Sequence, residues 1–352
     1  MLVIDSIIRL GLLKEIGQEG RNSKVYIAHD PQLEAEVVVK IINKSKEFTN
    51  EEEYFAEAQT LYASSHPNIM GVRYASQDKD NVFIVMDFFK NGSLNSLLEI
   101  RSLTVREIIK YSLEFLSGLH YMHSKFLVHF DIKPTNILIN DAGKAVLTDF
   151  GLAKYLNEQG FATPKKSYPL HIPPETYVHG KNSFYSDIYQ AGLTMYRMCN
   201  GNDQFKNQLK DLGITNSDEL SKAISNGRFP KKESFLPHIP IKLRKIIQKS
   251  LSQDETQRYE SVLDMINDIS LLEENLDWVY NRSANEHSYF SRHEVTHISK
   301  IILNQVSASE WATEGYRIRL SDGKQNKVNK WNSNGHTTKE KAFKAIEKIL
   351  KL

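Results

Sequence analysis

The fold of this 352-residue chain is decided by one stretch, Val128-His129-Phe130-Asp131-Ile132-Lys133-Pro134-Thr135-Asn136-Ile137-Leu138-Ile139. It places a carboxylate at Asp131, a lysine two residues later and an amide five residues later, among aliphatic and β-branched side chains. Asp149-Phe150-Gly151 follows eighteen residues after Asp131. Two aspartates and an asparagine at these separations can accept a hydroxyl proton and hold divalent metal ions against a triphosphate.

This arrangement resembles the catalytic loop and metal-binding triplet of protein kinases. An isolated His-x-Asp would more often be a buried hydrogen-bonded pair, but the loop, the spacing and Asp-Phe-Gly together favour the kinase interpretation. The resemblance implies that Asp131 accepts the hydroxyl proton and that Lys133 neutralises charge on the transferred phosphoryl group. It implies that Asn136 and Asp149 bind the metal of ATP, Mg²⁺ with Mn²⁺ as an alternative.

Composition fits a soluble two-lobed protein with a small additional domain. Hydrophobic residues make up 40% and charged residues 25%, so a substantial core can form. The single cysteine, Cys199, excludes an intramolecular disulfide and favours a reducing compartment. No apolar run is long enough to cross a bilayer, and the N-terminal run is short and charged. We therefore expect a cytoplasmic protein without a membrane partner.

Residues 10–275 are predicted to form an α+β, bilobal kinase-like domain, β-rich over about 10–90 and α-rich over about 91–275, with a cleft between the lobes. Val, Ile and Leu cluster in four short segments between turn residues, which predicts strands at 10–16, 25–29, 36–42 and 82–87. Helical composition or spacing predicts helices at 51–64, 105–125, 186–199, 241–251 and 261–272.

The first lobe carries two further kinase-like motifs. Gly17 and Gly20 lie in a strand–turn–strand position before Val25 and resemble a glycine-rich phosphate loop, with Gly20 at the middle glycine site and Gly17 one residue out of register. Taken alone, this loop would more often be a plain hairpin turn. Lys40 ends the apolar strand Val37-Val38-Val39, where a buried lysine needs an anion. The resemblance implies that Glu57, rather than Glu51, Glu52 or Glu53, is that partner, along with the nucleotide phosphates.

The segment after the last small-lobe strand resembles a kinase hinge. By that resemblance Met86 lines the adenine pocket, and backbone groups of Asp87, Phe88 and Phe89 hydrogen-bond the base. Leu138 is expected to contact the nucleotide from the other lobe.

Downstream motifs separate protein kinases from small-molecule phosphotransferases of related fold, which lack them. Pro173-Pro174-Glu175 resembles the end of an activation segment, and Arg258 is expected to pair with Glu175. Asp187 is expected to hold the catalytic-loop backbone. Within the activation segment, Ser167 is either a phosphorylation site or a contact to the catalytic loop. Lys133 favours a Ser/Thr acceptor, since tyrosine kinases usually place arginine two or four residues after the base.

Two departures from the family pattern leave an alternative open. Phe130 replaces the arginine that many kinases neutralise with an activation-segment phosphate, which makes this a non-RD variant that we expect to act without that phosphate. The glycine-rich loop also has fewer glycines than the family pattern. A pseudokinase scaffold is therefore the alternative to a protein Ser/Thr kinase. The presence of all six key side chains favours the active enzyme: Lys40, Glu57, Asp131, Lys133, Asn136 and Asp149.

Residues 276–290 are predicted to be a linker and 291–352 a small α+β module. Ser291-x-x-Glu294 predicts a helix carrying Val295, Ile298, Ile301 and Ile302. A strand over 316–320, a turn at 322–323 and a second strand over 328–331 follow, and Thr337-x-x-Glu340 opens a last helix.

The C-terminal charge leaves three interpretations of the module open. Residues 281–352 hold 13 lysines and arginines against seven acidic residues, a balance of +6 that leaves −4 for residues 1–280. A nucleic acid or other anionic partner would meet Arg317 and Arg319 on one strand face, and Trp331 would stack on a base. A solvated basic face, or a docking module for the kinase domain, is the competing view. Neighbouring basic residues across the predicted hairpin are Lys324, Lys327 and Lys330.

Overall fold

The computed structural model describes residues 7–17, 23–44, 54–63, 65–163, 168–282 and 288–350. The first lobe is a five-stranded antiparallel sheet in the order β1-β2-β3-β5-β4, with one named helix among its described residues. The elements are β1 (Gly11–Gly17), β2 (Ser23–Asp30), β3 (Ala35–Asn43), α1 (Ala56–Ala63), β4 (Val72–Gln77) and β5 (Asn81–Asp87). The four predicted strands are present, whereas β4 was not predicted because its sequence, VRYASQ, interrupts the apolar pattern with polar residues.

The second lobe is mainly helical. Its helices are α2 (Leu94–Ile100), α3 (Val105–Ser124), α4 (Pro174–His179), α5 (Phe184–Asn200), α6 (Asn202–Asp211), α7 (Ser217–Ser225), α8 (Ile241–Ser250) and α9 (Val262–Ser270). This lobe also holds two short antiparallel pairs: β6 (Leu127–Val128) with β9 (Lys154–Tyr155), and β7 (Ile137–Ile139) with β8 (Ala145–Leu147).

Helix α3 shows why the sequence forms this core. Thr104 and Glu107 make a reciprocal capping box at its N-terminus, and Ile108, Leu116 and Leu119 are fully buried on its inner side. α5 is buried along nearly its whole length and forms the centre of the lobe. The catalytic-loop stretch runs from β6 to β7 between these helices and the cleft.

The C-terminal module is a six-stranded antiparallel sheet with one helix. Five strands follow one another in space as in sequence, and the sixth pairs with β13. The elements are β10 (Trp278–Arg282), β11 (Ser288–His293), β12 (His297–Ser307), β13 (Glu310–Arg319), β14 (Gln325–Lys327), β15 (Ser333–His336) and α10 (Lys339–Leu350).

Two predictions for the start of the module are wrong. Residues 276–290, predicted as a linker, include β10 and the first part of β11. The helix predicted from Ser291 is instead the β11–β12 hairpin, in which Ser299, Ile301 and Leu303 are buried at alternate positions. The isoleucines of this segment fit the spacing of a helix as well as that of a strand. Pairing of β12 with β11 and β13 determines that the segment is a strand.

The second predicted hairpin is correct at its turn and wrong in its returning strand. Gly323 adopts φ 69 at the turn, as expected. The strand is β14, however, and Asn329–Trp331 forms a 3₁₀ turn that buries Trp331. The final helix is present as α10, although Thr338 rather than Thr337 accepts the Lys341 backbone N–H, at 3.3 Å.

The module packs on the helical lobe. Arg244 of α8 donates to Glu347 of α10 at 2.6 Å. The rings of His238 and Phe290 lie 5.6 Å apart between the two parts, and both residues are buried. These contacts are what the docking interpretation of the module requires. In the described ranges, no helix combines the length and apolar character needed to cross a membrane.

Candidate active site

Asp131 presents one occupied and one unoccupied carboxylate oxygen. Its Oδ2 accepts from Asn136 Nδ2 at 2.7 Å and lies 3.0 Å from Lys133 Nζ. Its Oδ1 is buried and has no hydrogen-bond partner among the described residues. A buried acceptor without a partner is costly, so it marks a place where a ligand group is expected. The orientation of the carboxylate is fixed through Oδ2, and Oδ1 keeps its acceptor capacity unused among the described residues.

Asp187 of α5 holds the backbone just before Asp131. The N–H groups of His129 and Phe130 each donate to its carboxylate at 2.8 Å, and His123 Nε2 lies 2.8 Å away. Phe130 is buried at φ 64, a conformation that is unfavourable for a residue with a side chain. The two charge-assisted hydrogen bonds keep the backbone in this turn, as predicted for Asp187.

Gln190, one turn further along α5, continues this support. Its Oε1 accepts from the Ile132 N–H, and its Nε2 donates to the Phe130 carbonyl, both at 2.9 Å. Asn136 Nδ2 also donates to the Asp131 carbonyl at 2.9 Å. The backbone on both sides of Asp131 is thus held by side-chain groups rather than by regular secondary structure.

Lys40 and Glu57 form the predicted ion pair between β3 and α1. Lys40 Nζ lies 2.7 and 3.0 Å from the two oxygens of Glu57 and 3.2 Å from Asp149 Oδ1. Burial opposes the charge on Lys40, but the two carboxylates outweigh it and raise the pKa of the lysine above its ordinary value. The lysine is therefore a permanent cation at the inner end of the cleft.

Asp149 faces the cleft with an ionised carboxylate. The charge of Lys40 lowers the pKa of Asp149, against the opposing effect of desolvation. Its side chain is 48% exposed, while the following Phe150 is buried against the ring of His129 at 5.2 Å. The Asp149 carboxylate and the Asn136 amide oxygen are hard oxygen donors, which is the ligand type that Mg²⁺ prefers. These residues therefore fit a divalent metal.

The predicted nucleotide pocket lies on one face of the small-lobe sheet. Strand register places Val25 opposite Lys40 and Val38 opposite Met86, so these side chains share the face toward the cleft. Met86 is buried and Leu138 is half-buried. The main chain of Gly17 pairs with Val25 at the end of β1.

The predicted hinge residues follow β5 directly. The carboxylate of Asp87 is 2.5 Å from Arg73 Nε, and the Phe89 carbonyl accepts from the Gly92 N–H at 3.1 Å. Binding of the base by backbone groups of Asp87, Phe88 and Phe89 stays a prediction. Gly20 and Ser167 lie outside the described residues, so the predictions for the glycine loop and for that serine stay predictions.

Glu175 and Arg258 form a buried, two-pronged ion pair. Arg258 Nη1 donates to Glu175 Oε1 at 2.9 Å and Nη2 donates to Oε2 at 2.7 Å. Ser186 Oγ donates to Glu175 Oε1 at 2.8 Å. The pair predicted from the sequence is present, and it ties the end of the activation segment to the segment before α9.

Comparison with known proteins decides the family. The family model for the protein kinase domain matches residues 11–268, nearly three quarters of the chain. The chain belongs to the protein kinase family. Its match begins with β1 and ends within α9, so the C-terminal module lies beyond it.

Several curated kinases are similar to this kinase domain. Serine/threonine-protein kinase PrkC of Bacillus subtilis is 28% identical over 270 residues, covering 74% of this chain and 40% of that protein. The probable serine/threonine-protein kinase PknB of Lactococcus lactis is 27% identical over 271 residues, covering 74% and 42%. Mitogen-activated protein kinase kinase kinase 3 of Arabidopsis thaliana is 34% identical over 187 residues, covering 51% and 29%. The chain spans about two fifths of the length of the two bacterial relatives.

Two contacts anchor the part of the activation segment that precedes residue 164. Lys154 Nζ donates to the Thr163 carbonyl at 2.6 Å, and Ala162 forms a β-bridge with Asn182. Further along the segment, the ring of Tyr168 lies 4.9 Å from Lys133 Nζ. Tyr168 is thus one described residue of this region that contacts the catalytic loop, and His171, with Nδ1 3.0 Å from the Ile132 carbonyl oxygen, is another.

The module does not offer the base-stacking residue that the sequence suggested. Trp331 is buried against Gly315, and Arg317 covers its ring at 5.6 Å, so the prediction that Trp331 stacks on a base is wrong. Arg319 lies 3.2 Å from Asp322, and Lys327 lies 3.3 Å from Glu314. The predicted basic face is therefore partly neutralised from within.

Sequence reasoning missed several residues that hold the site, and a signal for them was present. Asp187, Gln190, Thr194 and Arg197 follow one another at intervals of three, four and three, which places them on one side of a helix. A polar row on a helix that is otherwise buried predicts a set of polar partners. Only Asp187 was recognised, because it alone belongs to a family motif.

Proposed function

We propose that this chain transfers the γ-phosphoryl group of ATP to a serine or threonine hydroxyl of a protein. The observation that carries the proposal is the carboxylate of Asp131. Oδ2 is held by Asn136 and Lys133, and Oδ1 is buried with no described partner. An incoming hydroxyl would find in Oδ1 an oriented acceptor for its proton.

The remaining residues divide the work of positioning and charge stabilisation. Lys40, fixed by Glu57, would orient the phosphates of ATP, and the hinge backbone after Met86 would bind the adenine. Asn136 and Asp149 would hold a divalent metal, for which Mg²⁺ is proposed. When bound, that metal would neutralise phosphate charge. The protein would act mainly by holding the reacting groups in place.

Acceptor choice is proposed from Lys133. Its ammonium group lies between the Asp131 carboxylate at 3.0 Å and the Tyr168 ring at 4.9 Å. It can therefore stabilise the transferred phosphoryl group while remaining bound to the catalytic loop. Lysine at this position, together with similarity to proteins named as serine/threonine kinases, supports an aliphatic hydroxyl as acceptor.

A pseudokinase scaffold remains the competing function, and it has less support. A chain that had lost catalysis would be expected to lack at least one of the charged groups in the cleft. Here Lys40, Glu57 and Asp149 lie within ion-pair distance, and Asp131 is bound to Lys133 and Asn136. Each group would be in place for transfer without rearrangement.

Transfer of labelled phosphate from ATP to the chain itself and to a general protein substrate tests the proposal. Asp131→Asn should lower the rate by about 10²-fold or more, the size of effect expected for a lost general base. It should leave ATP binding intact, whereas Asp149→Asn should weaken binding of Mg-ATP. Asp218→Asn, at an exposed carboxylate of α7, is the matched control. Equal rates in the wild type and both cleft variants would support the scaffold instead.

We also propose a cytoplasmic location, supported by the buried single cysteine, Cys199, and by the requirement for ATP. For the module, we propose weak binding of an anionic partner, with nucleic acid as the candidate. Its support is the +6 charge of 281–352 and the exposure of Lys341, Lys344 and Lys348 along the outer side of α10.

Fluorescence anisotropy of the full chain with single- and double-stranded oligonucleotides tests this binding. On a duplex, log affinity should fall with log salt by roughly 0.9 per phosphate neutralised. Charge reversal of the three exposed lysines should remove binding without reducing transfer. Absence of binding at low salt would show that the lysines are merely solvated.

A further inference from the structure

Arg197 is a buried cation that the proposed chemistry does not use. Its guanidinium binds the side-chain oxygens of Asn202 and Asn95 and reaches His171, and it has no carboxylate within ion-pair distance in the described parts of the chain. Burial lowers the pKa of Arg197 to about 10. Keeping a cation in the interior without an anion costs stability. A buried cation of this kind is expected where it fixes the position or protonation of a functional side chain.

What Arg197 fixes is the protonation of His171. His171 is fully buried, with Nε2 3.1 Å from Arg197 Nη1 and Nδ1 3.0 Å from the carbonyl oxygen of Ile132. A guanidinium can only donate, so Nε2 must accept, and the ring proton must then sit on Nδ1. Nδ1–H therefore donates to the Ile132 carbonyl. Burial, followed by the charge of Arg197, lowers the pKa of His171 well below its ordinary value, in agreement with a neutral ring.

The Ile132 carbonyl lies between the two groups on which transfer would depend. Ile132 is the single residue between Asp131 and Lys133, its carbonyl belongs to the peptide bond with Lys133, and Gln190 already holds its N–H. His171 provides the main restraint on the carbonyl side, because the other contact, from Thr194 Oγ1, is long at 3.4 Å. Loss of the His171 bond would free this peptide plane to rotate and would shift Lys133 relative to the Asp131 carboxylate.

We propose that His171 is a positioning residue for phosphoryl transfer, held in one tautomer by Arg197 and fixing the backbone between Asp131 and Lys133. This inference rests on the proposed function. His171 and Tyr168 belong to the same segment, and the Tyr168 ring lies beside Lys133. The hydrogen bond from His171 to the Ile132 carbonyl therefore also joins this segment to the catalytic loop. The competing explanation is that the pair only stabilises the fold.

Two substitutions at one position separate these explanations. His171→Gln keeps an N–H group that can donate to the Ile132 carbonyl and an oxygen that can accept from Arg197, whereas His171→Phe keeps the approximate volume and loses both functions. His238→Phe is the matched control, since His238 is equally buried in the same lobe and its described contacts lie at the module interface. For each variant, kcat, KM for ATP, the melting temperature and amide hydrogen exchange over 129–133 are measured.

His171→Phe should lower kcat by about 10- to 100-fold, as expected for a displacement approaching 1 Å, with KM for ATP changed by less than about threefold. His171→Gln should restore kcat to within about threefold of wild type. His238→Phe should lower the melting temperature and leave kcat unchanged. Wild-type kcat in His171→Phe, or equal losses in the Phe and Gln variants, would overturn the inference.

Hydrogen exchange keeps this test separate from that of the proposed function. If the wild type transferred no phosphate, the proposed function would fail, and exchange alone would judge the positioning role. Faster exchange of 129–133 in His171→Phe, but not in His171→Gln or His238→Phe, would still support it. Equal exchange in all three variants would refute it.

Discussion

The buried pair of Glu175 and Arg258 allows a quantitative test of how the kinase domain is held together. Both side chains are almost inaccessible, at 4% and 0% exposure, and the guanidinium meets both carboxylate oxygens at 2.7 and 2.9 Å. Arg258 also donates to the carbonyls of Ser252 and Tyr185, at 3.0 and 2.8 Å. The arginine is therefore fixed in place and cannot turn to solvent if its partner is removed.

Glu175→Gln keeps the shape of the side chain and removes its charge, which leaves Arg258 as a buried cation without an anion. Breaking a buried pair in this way costs about 3–5 kcal/mol of unfolding free energy. In a domain of about 250 residues each kcal/mol shifts the melting temperature by roughly 2–4 °C, so a fall on the order of 10 °C is expected. Replacing both partners, in Glu175→Gln with Arg258→Leu, should recover part of this loss, because no buried charge then remains.

Thermal and urea unfolding of the two single variants, the double variant and wild type completes a double-mutant cycle. The control is Asp277→Asn, which breaks the Arg106–Asp277 pair. That pair has the same two-pronged geometry, at 2.7 and 3.0 Å, but lies at 58% and 49% exposure. Its loss should cost less than about 1 kcal/mol. A Glu175→Gln cost no larger than the control, or a double variant less stable than both singles, would refute the reasoning.

Three further predictions concern regulation, pH and packing. Phosphatase treatment should leave wild-type transfer within a few-fold, because Phe130 cannot bind an activation-segment phosphate; a large fall reversed by rephosphorylation would contradict this. Burial lowers the pKa of His238 to about 3, so the unfolded state binds a proton that the folded state excludes. Unfolding free energy should therefore fall below pH 6.5, and His238→Phe should remove roughly 2 kcal/mol of that loss between pH 6.5 and 5 in urea titrations. A Cβ at Gly315 would overlap Trp331, so Gly315→Ala should destabilise the module by about 1–3 kcal/mol in thermal unfolding, whereas Gly71→Ala, with open space around it, should have little effect.

The charged groups of the site could be predicted because each belongs to a motif with fixed spacing. Glu57 was chosen over three neighbouring glutamates by its interval from later residues, and it lies 2.7 Å from Lys40 Nζ. Helix α6 was not predicted, because it buries Asn202 and Gln208 beside Phe205 rather than an apolar stripe. Gln208 is satisfied by the hydroxyl of Tyr196, a partner on another helix that periodicity cannot show.

In the module the sequence alone was ambiguous, because the decisive contacts are between distant strands. Glu294 follows Ser291 at capping-box spacing, yet in the structure its carboxylate accepts from Arg292 and Ser299 within the β11–β12 hairpin. The burial of Trp331 depends in the same way on Gly315, sixteen residues earlier, where the absence of a side chain lets the ring approach the sheet. Neither arrangement leaves a local signature.

Phe130 shows that the backbone and side-chain roles of one position can be separated. The left-handed turn at Phe130 is maintained by hydrogen bonds from its own N–H to Asp187 and from Gln190 to its carbonyl, and neither bond involves the side chain. Phenylalanine, at the position where many kinases carry arginine, has no phosphate-binding group, and the hydrogen bonds that orient this turn beside Asp131 do not depend on its side chain. The buried ring adds packing where an arginine would require an anion. Loss of the arginine thus argues for transfer without a phosphate switch, and it is no argument for loss of transfer itself.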